Sequence, residues 1–339
     1  MVASEPGGVA FRAKVGAAAK LHLRLRTIVR VLLRVGEFPA GDRAKLARGL
    51  GEVVWSRYAP SGVRATARKS KLNHTGLLTD AVAKATPLDG QGGEIYLRLE
   101  RDVCTVSVDM SGDRLDHRGW RTDVGPAPLR ETAAAAVLRI AGWDPDVPLI
   151  DPMCGSGVIP LEAAAWALDK PATRSFAFEA WEGMQRPIAE AAPGRSDLQI
   201  YGSDLREEAI EAARGHAAAA GLDEAAAFSV IDLADLRPSA SEGLIVCNPP
   251  WGRRLDLGDC HAALGRMLRR FKGWQAAVIT PRGKAASDLE GTLGRGPERV
   301  VPFRHGGAPV ALRIYDKLGV RARSRRRRAG RPRRPGDHS

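Results

Sequence analysis

The stretch Val147-Pro148-Leu149-Ile150-Asp151-Pro152-Met153-Cys154-Gly155-Ser156-Gly157 decides how this 339-residue chain is read. A short apolar run predicts a buried strand over 147–151, and the glycines mark a tight turn into a helix predicted over 160–168. Glycine at that turn lets the backbone approach a ligand at the carboxyl end of a strand, where open α/β sheets bind their ligands. A dinucleotide fingerprint does not fit. Position 160 is Pro160 where the third glycine is needed, and the next strand-end acid, Asp204, lies 47 residues beyond Gly157 instead of about 20. A phosphate-binding Walker loop is excluded as well, because no Gly-Lys-Ser/Thr follows.

Outward from this loop, strands and helices alternate. Helices are predicted over 131–140, 207–220 and 262–271, and strands over 198–204, 227–231, 244–247 and 276–280. A hairpin is expected from 299–304 and 310–315 around His305-Gly306-Gly307-Ala308-Pro309. Alternation of this kind predicts a parallel, doubly wound α/β sheet, with the hairpin adding an antiparallel strand at its edge. Residues 1–120 read instead as small α+β modules. Apolar residues fall at near-helical spacing over 17–33, interspersed with Arg24, Arg26 and Arg30 and followed by Arg34, and adjacent strands are predicted at 94–99 and 103–108.

Composition narrows the function classes. Hydrophobic content of 44% and charged content of 27% are ordinary globular values. No apolar run approaches the roughly 18 residues of a membrane span, and the N-terminus shows no signal-peptide pattern. Four scattered cysteines (Cys104, Cys154, Cys247, Cys260) form neither a disulfide framework nor a metal motif. The reading is a reduced, cytoplasmic protein without membrane or metal partners. The net charge of +13 is unevenly spread: residues 1–130 carry 22 Lys/Arg against 13 Asp/Glu, residues 131–317 carry 21 against 25, and residues 318–339 carry nine Arg and one Asp. A mildly acidic middle between basic ends suggests a polyanion partner, most simply nucleic acid, held outside the part that does chemistry. The Arg-rich tail of 318–339 is expected to be disordered, either as a solvated end or as a salt-sensitive phosphate grip.

Asn248-Pro249-Pro250-Trp251, directly after the 244–247 strand, carries the chemistry. Exocyclic amines of bases and amides are poor nucleophiles because their lone pair is delocalised. The side-chain oxygen of Asn248 and the carbonyl of Pro249 suit the two N–H groups of such an amine and would aim its lone pair at a methyl group. The prolines hold φ fixed and lack N–H groups, so the carbonyl is presented rigidly. Trp251 offers a flat surface for a base, a contact worth about 1–3 kcal/mol in stacking systems. Arg253 and Arg254 have two readings, phosphate contacts or a solvated loop edge.

The whole Asp-Pro-x-Cys-Gly-Ser-Gly string resembles the S-adenosyl-L-methionine (AdoMet) loop of class I methyltransferases. That resemblance makes Asp151, Cys154, Gly155, Ser156, Gly157 and Asn248 cofactor-binding candidates. Asp204 would accept hydrogen bonds from the ribose hydroxyls, and Asp232 would receive the adenine amino group or serve only as a turn residue. Cys154 reads as a packing residue before a nucleophile. The resemblance then extends through Arg68-Lys69-Ser70-Lys71-Leu72-Asn73-His74-Thr75-Gly76, Val108-Asp109-Met110-Ser111-Gly112, His117-Arg118-Gly119-Trp120-Arg121, Ala127-Pro128-Leu129-Arg130-Glu131 and Arg174-Ser175-Phe176-Ala177-Phe178-Glu179. With those strings the chain resembles THUMP-domain class I RNA methyltransferases of the bacterial type that makes N2-methylguanosine in 23S ribosomal RNA.

The resemblance implies a Rossmann-like fold, a mixed seven-stranded sheet with an antiparallel edge hairpin, preceded by ferredoxin-like and THUMP modules that bind RNA. The expected division is a partial ferredoxin-like module at 1–48, a THUMP domain at 49–116, the methyltransferase at 117–317 and the tail at 318–339. The opening strand and helix that the family carries ahead of the segment resembling Pro6–Phe11 are missing here, which leaves two readings, a start codon assigned too late or an incomplete first module. A fused second methyltransferase is also missing, so one activity is expected. Ribosomal RNA is favoured over tRNA as the partner. The tetrad also serves adenine N6 in DNA or a glutamine side chain in protein, and a ribosome-assembly protein without catalysis is the reading from another class.

Overall fold

The computed structural model describes residues 2–5, 7–121, 129–189, 195, 197–250 and 260–319. Its larger sheet has seven strands: β7 (Leu149–Asp151), β8 (Ile200–Asp204), β9 (Ala227–Val230), β10 (Leu244–Cys247), β11 (Gln275–Pro281), β12 (Arg299–His305) and β13 (Ala308–Tyr315). They lie in the order β12-β13-β11-β10-β7-β8-β9. The chain moves from β7 outward to β9, then returns to the other side of β7 for β10. The β7/β10 junction is therefore the point where strand order reverses, the ligand-binding position of such sheets. Around it pack α4 (Glu131–Ala141), α5 (Val158–Ala167), α6 (Glu207–Ala220), α7 (Cys260–Leu268) and α8 (Lys284–Leu293). The link 231–243 contains no helix, so Ile150, Tyr201, Ser203, Ile231 and Leu236 line an open groove on one sheet face. α5 is buried on almost every side, which explains why its apolar residues show no helical periodicity.

The closing hairpin lies at one edge of the sheet, as expected: β12 is the edge strand, and β13 sits between β11 and β12, pairing antiparallel with each and completing backbone bonds on both sides. α8 went unpredicted, although its Lys284–Asp288 pair and the left-handed Gly294 after its end are local helix signals.

The N-terminal part begins with a hairpin of β1 (Val2–Glu5) and β2 (Gly8–Phe11), then α1 (Val15–Arg24). A four-stranded sheet of order β3-β6-β5-β4 follows, made of β3 (Leu32–Pro39), β4 (Gly62–Arg68), β5 (Glu94–Glu100) and β6 (Val103–Asp109), with α2 (Arg43–Gly51) and α3 (Thr75–Ala85) on its apolar face. The helix expected over 17–33 stops at Arg24, because Leu32 and Leu33 pair with Asp109 and Val108 of β6. The expected cut at 48/49 falls inside this sheet, since β3 and β6 come from opposite sides of it.

A segment of the C-terminal part completes the N-terminal core. Phe176, Phe178 and Trp181 are buried among Leu97, Val106 and Met110, and Trp181 Nε1 donates to the Gly92 carbonyl at 2.6 Å. Arg174 donates to the carbonyls of Ser111, Asp113 and Arg114. A second tie is the fully buried Glu162 on α5, which accepts from Arg26 and Arg118, each at 3.0 Å. Leu318, placed in the tail by the expected division, is fully buried and exchanges backbone bonds with Trp274 and Gly273; residues 320–339 lie outside the described residues. No described helix is long and apolar enough to cross a membrane, and no group of three metal-ligating side chains occurs among the described residues.

Candidate active site

β7, β8 and β10 run parallel, so their carboxyl ends meet on one rim. Leu244 pairs with Leu149 and Ile245 with Ile150, so β10, ending at Cys247 just before Asn248, and β7, ending at Asp151 just before the glycine loop, leave the sheet on the same rim. Asp151 is paired with Gly202, which puts Asp204 at the same rim one strand over. Strand pairing thus brings segments nearly a hundred positions apart in the chain to one rim.

Gly155 has φ +53° and Gly157 φ +84°, the left-handed region. Their surroundings differ. A Cβ on Gly155 would meet nothing within 4 Å, whereas one on Gly157 would lie 2.9 Å from Phe228 and 3.0 Å from Ala213. Gly157 therefore lets the loop approach the protein's own core, and Gly155 keeps the open side clear. Cys154 points inward as well, since a Cβ at Gly202 would lie 3.0 Å from its Sγ. Burial pushes its thiol well above the ordinary cysteine value, which supports packing over nucleophilic chemistry. Ser156 Oγ lies 3.5 Å from Arg121 Nη2, and its carbonyl lies 3.1 Å from His216 Nδ1.

Asp151 is buried, its Oδ1 accepting the Met153 N–H at 3.2 Å. Burial pushes this carboxyl well above the usual range, with the Asp204 charge adding to the shift and the Met153 amide opposing it. Asp204 Oδ2 accepts the Gly155 N–H at 3.0 Å, and Oδ1 accepts from the Arg206 backbone N–H at 3.1 Å and Nε at 3.2 Å. Asp232 is exposed and turns back on its own backbone, with Oδ1 accepting the Ala234 N–H at 2.7 Å. The Ile231 N–H donates to the Asp204 carbonyl at 3.2 Å, which keeps Asp232 beside the same rim. Pro250 O lies 3.7 Å from Cys260 Sγ at the start of α7. Trp251, Arg253 and Arg254 lie outside the described residues.

Leu205 escaped sequence reasoning. It follows the rim acid and is 68% exposed, an apolar surface suited to a flat ring. A leucine after a strand-end acid looks like ordinary core in one dimension. An adenosine fits this rim: Asp204 offers acceptors for ribose hydroxyls, Leu205 an apolar face, and Gly155 an open approach to the backbone.

Fold and rim chemistry together define the class, methyltransferases of the Rossmann-like class I fold that draw their methyl group from AdoMet. Within it, the chain belongs to the RMKL-like methyltransferase family, whose domain model matches residues 118–291. It is 31% identical over 93% of its length to the protein named "Putative RNA methyltransferase slr0064" of Synechocystis sp., covering 90% of that relative. It is 36% identical over 85% of its length to "Ribosomal RNA large subunit methyltransferase K/L" of Syntrophotalea carbinolica and spans 47% of that longer protein. Among solved structures, "SMU.472, a putative methyltransferase complexed with SAH" superposes with a TM-score of 0.79 at 28% identity, covering 94% of this chain and 92% of that one.

Proposed function

We propose that the protein methylates the exocyclic N2 of a guanine in RNA, with large-subunit (23S) ribosomal RNA as the substrate. The observation that carries the reading is Asn248, followed by Pro249 and Pro250, directly after β10 on the rim it shares with β7 at the sheet's reversal point. AdoMet supplies the methyl group. The Asn248 side-chain oxygen and the Pro249 carbonyl accept the two N–H protons of the guanine amine and turn its lone pair toward the donor. A C–N bond forms as the S–C bond breaks, and the nitrogen's extra proton passes to solvent. Catalysis on this view is chiefly positioning for in-line transfer. The base enters flipped out or unpaired, because its edge must reach the rim. Trp251 is the proposed stacking surface.

RNA is favoured over protein and DNA substrates by the basic residues 1–130, proposed as the RNA-binding part, and by the names of the two relatives. The test is incubation with labelled AdoMet and unmodified ribosomal RNA or tRNA in separate reactions, followed by nucleoside digestion and mass spectrometry. N2-methylguanosine from ribosomal RNA is expected. Asn248→Ala should abolish it while leaving AdoMet binding nearly intact. A different methylated nucleoside, or equal loss of binding and turnover in the variant, refutes the assigned chemistry.

A further inference from the structure

The methionine end of AdoMet is a zwitterion, with an ammonium and a carboxylate on one carbon. Selecting it takes a fixed cation and a fixed anion beside the glycine loop. Arg121 and Glu131 stand there. Arg121 Nη1 donates to the Leu129 carbonyl at 2.9 Å and lies 3.4 Å from Glu131 Oε1, while Nη2 is 3.5 Å from Ser156 Oγ. Both charged side chains are only 8% exposed. Among the described residues, Arg121 Nε is buried without a hydrogen-bond partner, leaving this cation with donor capacity unspent.

Packing alone does not account for the pair. Taking two charges out of water costs more than one long contact returns, and apolar side chains of similar volume would serve a plain core better. The pair is also held in place. Trp120 is buried against His216, at 5.9 Å between ring centres, and His216 Nδ1 in turn meets the Ser156 carbonyl. Burial raises the Glu131 carboxyl pKa and the nearby guanidinium partly restores it. A ligand ammonium on Glu131 and a ligand carboxylate on Arg121 would complete both groups.

We propose that Arg121 and Glu131 clamp the amino-acid end of AdoMet, Arg121 taking its carboxylate and Glu131 its ammonium. The proposal rests on the cofactor and is independent of the base methylated. Calorimetric titration with S-adenosylhomocysteine and with 5′-methylthioadenosine tests it, because the second ligand keeps adenosine and thioether but lacks the amino-acid end. Arg121→Gln should weaken S-adenosylhomocysteine by about 10–100-fold, the loss of a charge-assisted hydrogen bond, and leave 5′-methylthioadenosine within about twofold. Arg121→Lys should recover part of the loss, and Glu131→Gln should lower the same preference between the ligands. Retained 5′-methylthioadenosine binding also shows that the variant is folded. Equal weakening of both ligands, or an unchanged Kd for S-adenosylhomocysteine, would overturn the clamp. Loss of RNA methylation with both affinities intact would strike the proposed function instead.

Discussion

Asp204 ties the glycine loop to the next strand through the Gly155 amide, and it is also the acceptor we propose for the ribose hydroxyls. Asp204→Ala removes both at the strand end, where the residue is 9% exposed. We expect a weakening of S-adenosylhomocysteine binding by about 10–100-fold with an unchanged circular dichroism spectrum, in line with about 1.5–3 kcal/mol for hydrogen bonds to charged groups. An unchanged affinity would place the ribose elsewhere. Asp151 works differently. It is buried with its carboxyl raised by burial, and it bonds the Met153 amide inside the loop, so it shapes the turn from below. Two acids of one rim thus take separate work: Asp151 bonds inside its own turn, whereas Asp204, also buried, bonds across to the Gly155 amide and to Arg206.

The segment around 172–189 has one short 3-10 turn, Ala177–Ala180, and its importance lies in what it covers. Phe176, Phe178 and Trp181 leave the methyltransferase sheet's own core and fill that of the N-terminal sheet. Arg174 and Arg186 hold the segment by donating to main-chain carbonyls, Arg186 to those of Arg174 and Ala172. Trp181→Ala would leave a cavity in the N-terminal core beside Gly92 and the Tyr58 ring, which stands edge-on to Trp181 at 5.1 Å. We expect a loss of about 3–5 kcal/mol, the range for emptying a large aromatic site, read as a lower urea midpoint with unchanged slope. A shift of the midpoint too small to measure would show that the two cores are not joined through this ring.

Across the molecule, charge and the proposed chemistry are segregated: the acidic middle region carries the candidate rim, and the basic ends carry the excess of arginine. Buried ties through Glu162 and the 172–189 segment join the N-terminal part to α5 and hold it in one orientation toward the rim. If the ends grip RNA, each phosphate neutralised releases counterions, and affinity falls on a log–log scale with a slope of about −0.7 to −0.9 per contact. Removing residues 320–339, which hold nine arginines, should flatten that slope while leaving S-adenosylhomocysteine binding unchanged. An unaltered slope between low and moderate salt would take the tail out of the RNA interface.

Local chemistry made much of the protein legible in one dimension. The turn at Asp151–Gly157, the helix at Glu207–Ala220, the strand at Leu244–Cys247 and the strand-end positions of Asp204 and Asn248 all follow from glycine, proline and short-range periodicity, which act between neighbours in the chain. Long-range pairing decided the rest. Leu32 and Leu33 continue a helical pattern, yet sheet bonds to Val108 and Asp109 outweigh a weak helix preference. Phe176 and Trp181 carry no mark of which core they fill, and β13 none of lying between β11 and β12. Arg121 meets Ser156 across 35 residues, and Leu205 looks apolar without looking exposed. Such contacts join distant segments whose loop-closure entropy is offset only when the whole core forms together, so no short window of residues contains them.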